Sequence, residues 1–197
     1  KNGSFDIHPD WNQWAILVFV NDRPNLESYR DDAAPYYKEL YGSFIARWWR
    51  KFNCETWSIS LELIEGHGSW NGQKLSPVEK MNKPPEGPVA VLTRASIRIK
   101  KLRDFWKNVA PVARQMQNAT GLITSLGVGE MPFIRQATFS IWESMEEMKK
   151  FAYSMQEHRE VIKKTRKENW YSEDMFLRFR PISSLGSLKG RNPWQGR

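Results

Sequence analysis

Residues 89–117 read VAVLTRASIRIKKLRDFWKNVAPVARQMQ, and this stretch decides the fold class. Its first part, Val89 to Ile99, is rich in apolar and β-branched residues, which predicts a strand. The segment from Leu102 to Gln117 repeats its apolar residues at helical spacing, so we predict a helix there despite Pro111. A strand that leads directly into a helix is the usual opening of a βαβ unit.

The residues that follow complete this unit. A further strand begins near Leu122, passes through Gly127 and Gly129, and returns as the strand that ends at Trp142. Ser144 then opens a helix that runs to about 169, and the strand MFLRFRPI (175–182) closes the unit. The order is strand, helix, a hairpin or long bent strand, helix and strand, which is the split βαβ or ferredoxin-like arrangement.

The preceding sequence repeats the second part of this order. WAILVFV (14–20) predicts a strand, 26–52 a helix, WSISLELI (57–64) a strand, and GHGSWNG (66–72) a turn. The glycine turns 68–72 and 186–190 occupy the same place in each copy. We therefore predict an α+β fold of duplicated ferredoxin-like units that form an α/β barrel. Its first half (1–75) lacks the opening strand and helix, a proline-rich linker (76–88) follows, and 89–197 is the complete second half.

Composition limits the classes of function. The chain is 40% hydrophobic and 13% aromatic, enough for a core, and its longest apolar run, 14–20, is too short to span a membrane. The single cysteine, Cys54, excludes an internal disulfide and favours a reducing compartment. The net charge of +8 fits either an anionic partner or solvated helix faces. The strand motif of RNA-recognition domains is absent, so we expect no nucleic-acid partner.

His158 lies on the apolar side of a heavily charged helix. At 100° per residue, Phe151, Met155, His158 and Ile162 project within roughly 60° of one another. One interpretation is a core histidine whose ring nitrogens are hydrogen-bonded. The other is an axial ligand for haem iron, since a lone neutral imidazole in an apolar cavity suits that role.

Arginines within predicted strands are the second unusual feature. Arg94 shares a sheet face with Arg98, and Arg178 shares one with Arg180, because strand side chains alternate. These residues either face water or point into a cavity. In a cavity, the guanidinium fork would pair with carboxylates such as haem propionates.

Two other familiar sites are not supported. Gly127 and Gly129 lack the third glycine and following helix of a dinucleotide site, so they favour a kink in a strand. Strand serines such as Ser58 and Ser140 lack the glycine-flanked elbow of a hydrolase nucleophile.

Long blocks of the chain resemble the spheroidene monooxygenase family of carotenoid oxygenases. The blocks include WWRKFN, WSISLELIEGHGSWNGQ, PVAVLTRASIRIKKLRDFW, GVGEMPFIRQATFSIW and HREVIKKTRKENWYSEDMFLRFRP, and the match runs from about 14 to 194. The resemblance implies a cytoplasmic-side enzyme that inserts oxygen from O2 into a carotenoid and forms a keto group. It also implies a barrel of the dimeric α/β-barrel type, haem as cofactor and a proximal histidine on a helix of the second unit, the role that His158 would fit.

Together these observations predict a haem-dependent monooxygenase in which His158 ligates iron and Arg94 or Arg178 anchors a propionate or polarises bound oxygen. Five residues would form apolar walls: Phe139, Trp142, Phe151, Met155 and Trp170. We expect an external electron donor, an apolar carotenoid-like substrate and contact with the inner-membrane surface, and a homo-oligomer is left open. Two alternatives stand beside this reading, a cofactor-free barrel monooxygenase and a non-catalytic module that binds haem or an isoprenoid.

Overall fold

The computed structural model describes residues 10, 12–19, 34–75, 86–131, 133–154, 163–165 and 167–194. Three helices and five strands are named in chain order: α1 (Ala34–Lys51), β1 (Trp57–Gly68), β2 (Val89–Ile97), α2 (Leu102–Gln117), β3 (Leu122–Met131), β4 (Arg135–Trp142), α3 (Met145–Ser154) and β5 (Tyr171–Gly186). The strands form one sheet in the order β1-β5-β2-β4-β3. The chain divides into two compact units. The larger unit consists of Lys1–Leu17 and Leu63–Arg180, and the smaller unit consists of Val18–Glu62 and Pro181–Arg197.

The larger unit contains the complete ferredoxin-like order that the sequence predicts. β2 lies between β4 and β5 and is antiparallel to both, while β3 is antiparallel to β4. Helix α2 joins β2 to β3, and α3 joins β4 to the segment before β5. The α+β class is therefore confirmed. The division into sequence halves stays a prediction, and linker residues 76–85 lie outside the described residues.

The core of the larger unit lies on the helix side of the sheet. Val89 and Val91 project there from β2 and pack with Met116 of α2 and with Trp142 and Phe151. The rings of Trp142 and Phe151 are 5.2 Å apart, and the indole N–H of Trp142 donates to Ser140 Oγ at 3.0 Å. Burial of aromatic side chains of this size is a main source of stability in a domain.

The start of α3 agrees with the sequence prediction. Glu147 N donates to Ser144 Oγ at 3.2 Å, which satisfies one of the free N–H groups of the first turn. The described helix ends at Ser154, residues 163–165 are again helical, and 155–162 lie outside the described residues.

The smaller unit is built on α1. The helix bends at Gly42, whose φ of +81° is not helical, and residues on both sides of the bend contact the core. Tyr37 and Ala46 pack with Leu185 of β5, and the ring of Trp49 meets that of Tyr37 edge-on at 5.4 Å. One face of α1 is therefore committed to the core of this unit.

The predicted strand at 14–20 is wrong in the described part of that segment. Residues 13–19 have no regular secondary structure, and Trp14, Ile16 and Phe19 are 85%, 56% and 57% exposed. A strand is stabilised by hydrogen bonds to a neighbouring strand, and none of the five strands of the sheet is paired with this segment. An apolar run by itself therefore does not make a strand here.

The correspondence of the two glycine turns is confirmed. In each turn the two central residues have positive φ, 51° and 78° at Asn71 and Gly72, and 56° and 76° at Lys189 and Gly190. This is the type I′ pattern, which joins the two sides of a tight hairpin. The bridges Trp70–Gln73 and Leu188–Arg191 close the two turns in the same way. The end of β1 and the end of β5 are thus equivalent structures.

Candidate functional site

A cluster of charged side chains surrounds the guanidinium of Arg94 near the end of β2. Arg94 is 1% exposed and lies over the ring of Trp70, with 4.8 Å between its Cζ atom and the ring centroid. Its Nε donates to Glu130 Oε2 at 2.8 Å, and its Nη1 donates to Glu173 Oε2 at 2.8 Å. A buried guanidinium needs such partners, because an unpaired charge in the interior is very costly.

The strand register explains how these residues meet. Arg94 is opposite Ala137 of β4 and Met175 of β5, and Ala137 is opposite Val128 of β3. Glu130 and Glu173 each lie two residues from a position in this row, so their side chains share the sheet face of Arg94. Three strands that are distant in sequence are therefore needed to build the cluster.

Both carboxylates of the cluster are held in the ionised form. Partial burial raises the pKa of Glu130, but hydrogen bonding and attraction from Arg94, with a smaller effect of Arg135, outweigh burial and lower it. The pKa of Glu173 falls to about 2, chiefly because Gly72 N and Ser69 Oγ donate to it and also because Arg94 does. The cluster is a network of fixed charges near neutral pH, without a carboxyl group poised to exchange a proton.

Glu173 also holds the turn that carries Trp70. Its Oε1 accepts hydrogen bonds from Ser69 Oγ and from Gly72 N, both at 2.8 Å, and its Oε2 accepts from Asn71 N at 3.1 Å. Trp70 is thereby kept over Arg94. Glu173 therefore links β5, the turn after β1 and the buried guanidinium of Arg94.

Arg178 lies in a separate cluster. Its Nη1 donates to Glu65 Oε2, and its Cζ lies 4.9 Å from the ring centroid of Phe176. Glu65 Oε1 also lies 2.6 Å from His67 Nε2. Partial burial raises the pKa of Glu65, but His67 and Arg178 together lower it below its usual value. The Nε of Arg178 is buried and has no hydrogen-bond partner among the described residues.

The two arginines do not converge on one site. Val91 is the register partner of Arg178, while Met175 is the partner of Arg94. Positions 91 and 94 are an odd number of residues apart, so they project from opposite faces of β2. Arg178 therefore shares the helix side of the sheet with Val91, and Arg94 has the other side.

The predicted apolar walls are divided in the same way. Trp142 and Phe151 are buried in the helix-side core, whereas Phe139, opposite Leu92, projects on the side of Arg94. Trp170 is completely buried just before β5, and its indole N–H donates to Glu168 Oε2 at 2.9 Å. The side chains of Met155 and His158 lie outside the described residues.

Glu130, Glu173 and Glu65 are the residues that sequence reasoning missed. A strand arginine that is predicted to be buried requires carboxylate partners on the same sheet face. Glutamates at the ends of GVGE and YSE were the available signal, but alternation within one strand does not show which glutamate faces which arginine. That choice depends on the register of strands far apart in the chain.

The arginines and the described histidine differ in how well their contacts suit a haem group. The guanidinium of Arg94 is already held by two carboxylates, so a propionate there would compete with Glu130 and Glu173. Among the described residues Arg178 has one carboxylate partner, Glu65, and its buried Nε has no hydrogen-bond partner, so that Nε could donate to a propionate. His67 is exposed and already meets Glu65. The described residues thus offer a propionate donor in Arg178, and the predicted iron ligand, His158, lies outside them.

The described part of the chain holds no group of three or more histidine, cysteine or acidic side chains that could bind a metal ion. No helix within it is both long and apolar enough to cross a membrane.

Comparison with known proteins gives consistent similarities along the chain. Residues 89–178 match the profile of a family described as a domain of unknown function, DUF3291. The spheroidene monooxygenase of Rhodobacter capsulatus is 31% identical over 192 residues, which cover 96% of this chain and 75% of that protein. That of Rubrivivax gelatinosus is 33% identical over 96% of this chain and 68% of its own length.

A solved structure of a candidate monooxygenase from Fusobacterium nucleatum is 9% identical, with a TM-score of 0.47, and the match covers 79% of this chain and 66% of that one.

Proposed function

The chain belongs to the spheroidene monooxygenase family and is a monooxygenase, and we propose that it inserts oxygen from O2 into a carotenoid or a similar apolar isoprenoid, forming a keto group. The observation that carries the proposal is the identity of 31% to 33% to two spheroidene monooxygenases over 96% of the chain. Similarity of that extent includes the strands that hold the Arg94 and Arg178 clusters.

Formation of a keto group at a methylene carbon requires two rounds of monooxygenation. In each round one oxygen atom of O2 enters the substrate and the other leaves as water, with two electrons and two protons consumed. The first round gives an alcohol, and the second gives a geminal diol that loses water to the ketone. The electrons must come from a reduced donor, so the external electron donor is part of this proposal.

We propose haem as the cofactor, with His158 as its iron ligand and Arg178 as a propionate donor. When bound, haem supplies the activation of O2 and the acceptance of single electrons. Arg178 supports this role through its buried Nε, which has no hydrogen-bond partner among the described residues. Arg94 is better suited to a positioning role, because it ties Trp70, Glu130 and Glu173 together.

The apolar residues on the side of Arg178 support an apolar ligand. Ile64 and Phe176 are only partly buried against the helix-side core, and Phe176 lies beside the guanidinium of Arg178. A polyene hydrocarbon gains from contact with such side chains because both surfaces leave water. Exclusion of water would also protect a reactive oxidant.

A turnover experiment tests the activity directly. Protein purified with haem supplied during expression is incubated with spheroidene, a chemical reductant and isotopically heavy O2, and the products are analysed by mass spectrometry. We expect a ketone that carries the heavy isotope. Tight binding of spheroidene without product would favour a non-catalytic binding module, and equal turnover by haem-free protein would favour a cofactor-free oxygenase.

A further inference from the structure

The outer face of α1 carries a row of exposed aromatic rings. Phe44, Trp48 and Phe52 are 70%, 47% and 58% exposed, and they are spaced four residues apart. At helical periodicity this spacing places them along one side of the second part of α1 and of the turn that follows it. The rings of Trp48 and Phe52 lie 5.0 Å apart. These three residues on one side of the helix are here called the α1 ridge.

The ridge is additional to the face that α1 uses for folding. Ala46 is buried against Tyr37 and Leu185, and Trp49 packs on the same cluster. The core of the smaller unit is therefore made by other side chains of the same helix. Large apolar side chains that remain exposed together on one side of a helix usually mark a binding surface.

The charge around the ridge points to an anionic partner. Residues 43–54 read SFIARWWRKFNC, with three basic residues and no acidic one. Arg47, Arg50 and Lys51 are exposed, and none of them meets an acidic side chain within the residues that the structure places. Lys51 Nζ lies 5.9 Å from the ring centroid of Phe52, so positive charge and aromatic surface lie side by side.

We propose that the α1 ridge docks on the surface of an anionic phospholipid membrane. Phenylalanine and tryptophan enter the boundary between headgroups and acyl chains, while adjacent arginine and lysine side chains reach the lipid phosphates. A protein partner of matching charge would instead need an acidic groove that fits three rings and three cations, none of which has an acidic partner among the described residues. Docking of this kind needs neither haem nor substrate, so it can fail or succeed independently of the proposed activity.

Vesicle co-sedimentation of the full chain tests the proposal. We expect the protein to sediment with phosphatidylcholine vesicles that contain phosphatidylglycerol, far less with phosphatidylcholine alone, and less as salt is added. Arg47→Gln and Arg50→Gln each remove one positive charge, and each change should weaken binding to the anionic vesicles about fivefold. Phe44→Ser with Trp48→Ser should weaken it about tenfold or more, because two rings no longer leave water.

Tyr153→Ser is the matched control. Tyr153 is an aromatic residue of α3 that is 61% exposed, so its loss removes exposed aromatic surface elsewhere. It should leave vesicle binding unchanged, and circular dichroism of each variant checks that the helices are retained. The proposal is overturned if the ridge variants bind as the unaltered protein does, or if binding ignores phosphatidylglycerol and salt. It is also overturned if sedimentation velocity shows that the ridge instead joins two copies of the chain and vesicles capture neither form.

Discussion

Glu173 and Glu55 make the same capping contacts to equivalent turns, but only Glu173 also binds a buried arginine. Glu55 accepts hydrogen bonds from Ser187 Oγ and from the backbone N–H groups of Lys189 and Gly190. Glu173 accepts the corresponding bonds from the turn at 69–72, and in addition Arg94 Nη1 donates to it. The repeat therefore contains its own control for the contribution of Arg94.

We expect Glu173→Gln to lower the free energy of unfolding by about 1.5 to 3 kcal/mol, the usual value of a hydrogen bond to a charged group. Glu55→Gln should lower it less, since its carboxylate is exposed and holds only the turn. Chemical denaturation of both variants at neutral pH measures the difference. Equal losses would show that the contact between Glu173 and Arg94 adds nothing to stability.

The same residue gives a prediction for pH dependence. The pKa of Glu173 is about 2 in the folded protein and 4.5 as the ordinary value, so the unfolded state binds more protons in this range. The stabilisation is fully present above about pH 4.5 and is lost as the pH falls through about 2. Glu173→Gln should therefore show a shallower loss of stability on acidification than Glu55→Gln, as measured by denaturation at a series of acidic pH values.

Gly68 and Gly72 allow the cost of a steric clash to be measured apart from the cost of a left-handed backbone conformation. Gly68 and Gly72 have φ of +82° and +78°, but a Cβ atom at Gly68 would lie 2.1 Å from the carbonyl oxygen of Asp174, while one at Gly72 meets nothing within 4 Å. Gly72→Ala should cost about 1 to 2 kcal/mol for the left-handed conformation. Gly68→Ala should cost about 1 to 3 kcal/mol more, because the strands must move apart.

Thermal and chemical unfolding of both alanine variants measure this difference. If the two variants are equally stable, the close approach of β1 to β5 at Gly68 does not exist in solution.

The two arginines should differ in what their loss changes. Arg178→Gln should weaken haem retention with a modest loss of stability, because its buried Nε is the donor proposed for a propionate. Arg94→Gln should mainly reduce stability, by about 3 to 5 kcal/mol, since Glu130 and Glu173 then both lose the buried guanidinium that they share. Haem titration followed by visible absorption, together with thermal unfolding, resolves the two effects. The reverse pattern would assign the propionate to Arg94.

His158 is tested by spectroscopy. We expect the haem-loaded protein to show a Soret band that is lost or strongly shifted in His158→Ala, because the axial nitrogen is removed. His67→Ala is the control, since His67 is exposed and contacts Glu65. A spectrum that is unchanged in His158→Ala and altered in His67→Ala would transfer the proposed iron ligand to β1.

Local sequence patterns determined most of the secondary structure of the second half. Apolar periodicity predicted β2 and α2, serine at position 144 predicted the start of α3, and the two glycine turns predicted the repeat. These features are encoded within a few neighbouring residues, because helix caps and positive-φ turns depend on local side chains and backbone sterics. The run WAILVFV shows the limit of such signals, since a strand also needs a partner.

Only the tertiary structure decided which residues meet. Arg94 finds Glu130 and Glu173 at sequence separations of 36 and 79 residues, and the register of β2, β3 and β5 fixes both contacts. The same register put Arg94 and Arg178 on opposite faces, although both had been predicted as interchangeable donors to one cofactor. Alternation along a strand tells which residues share a face of that strand. Which neighbour each face receives is set by long-range pairing between strands, which a local pattern does not contain.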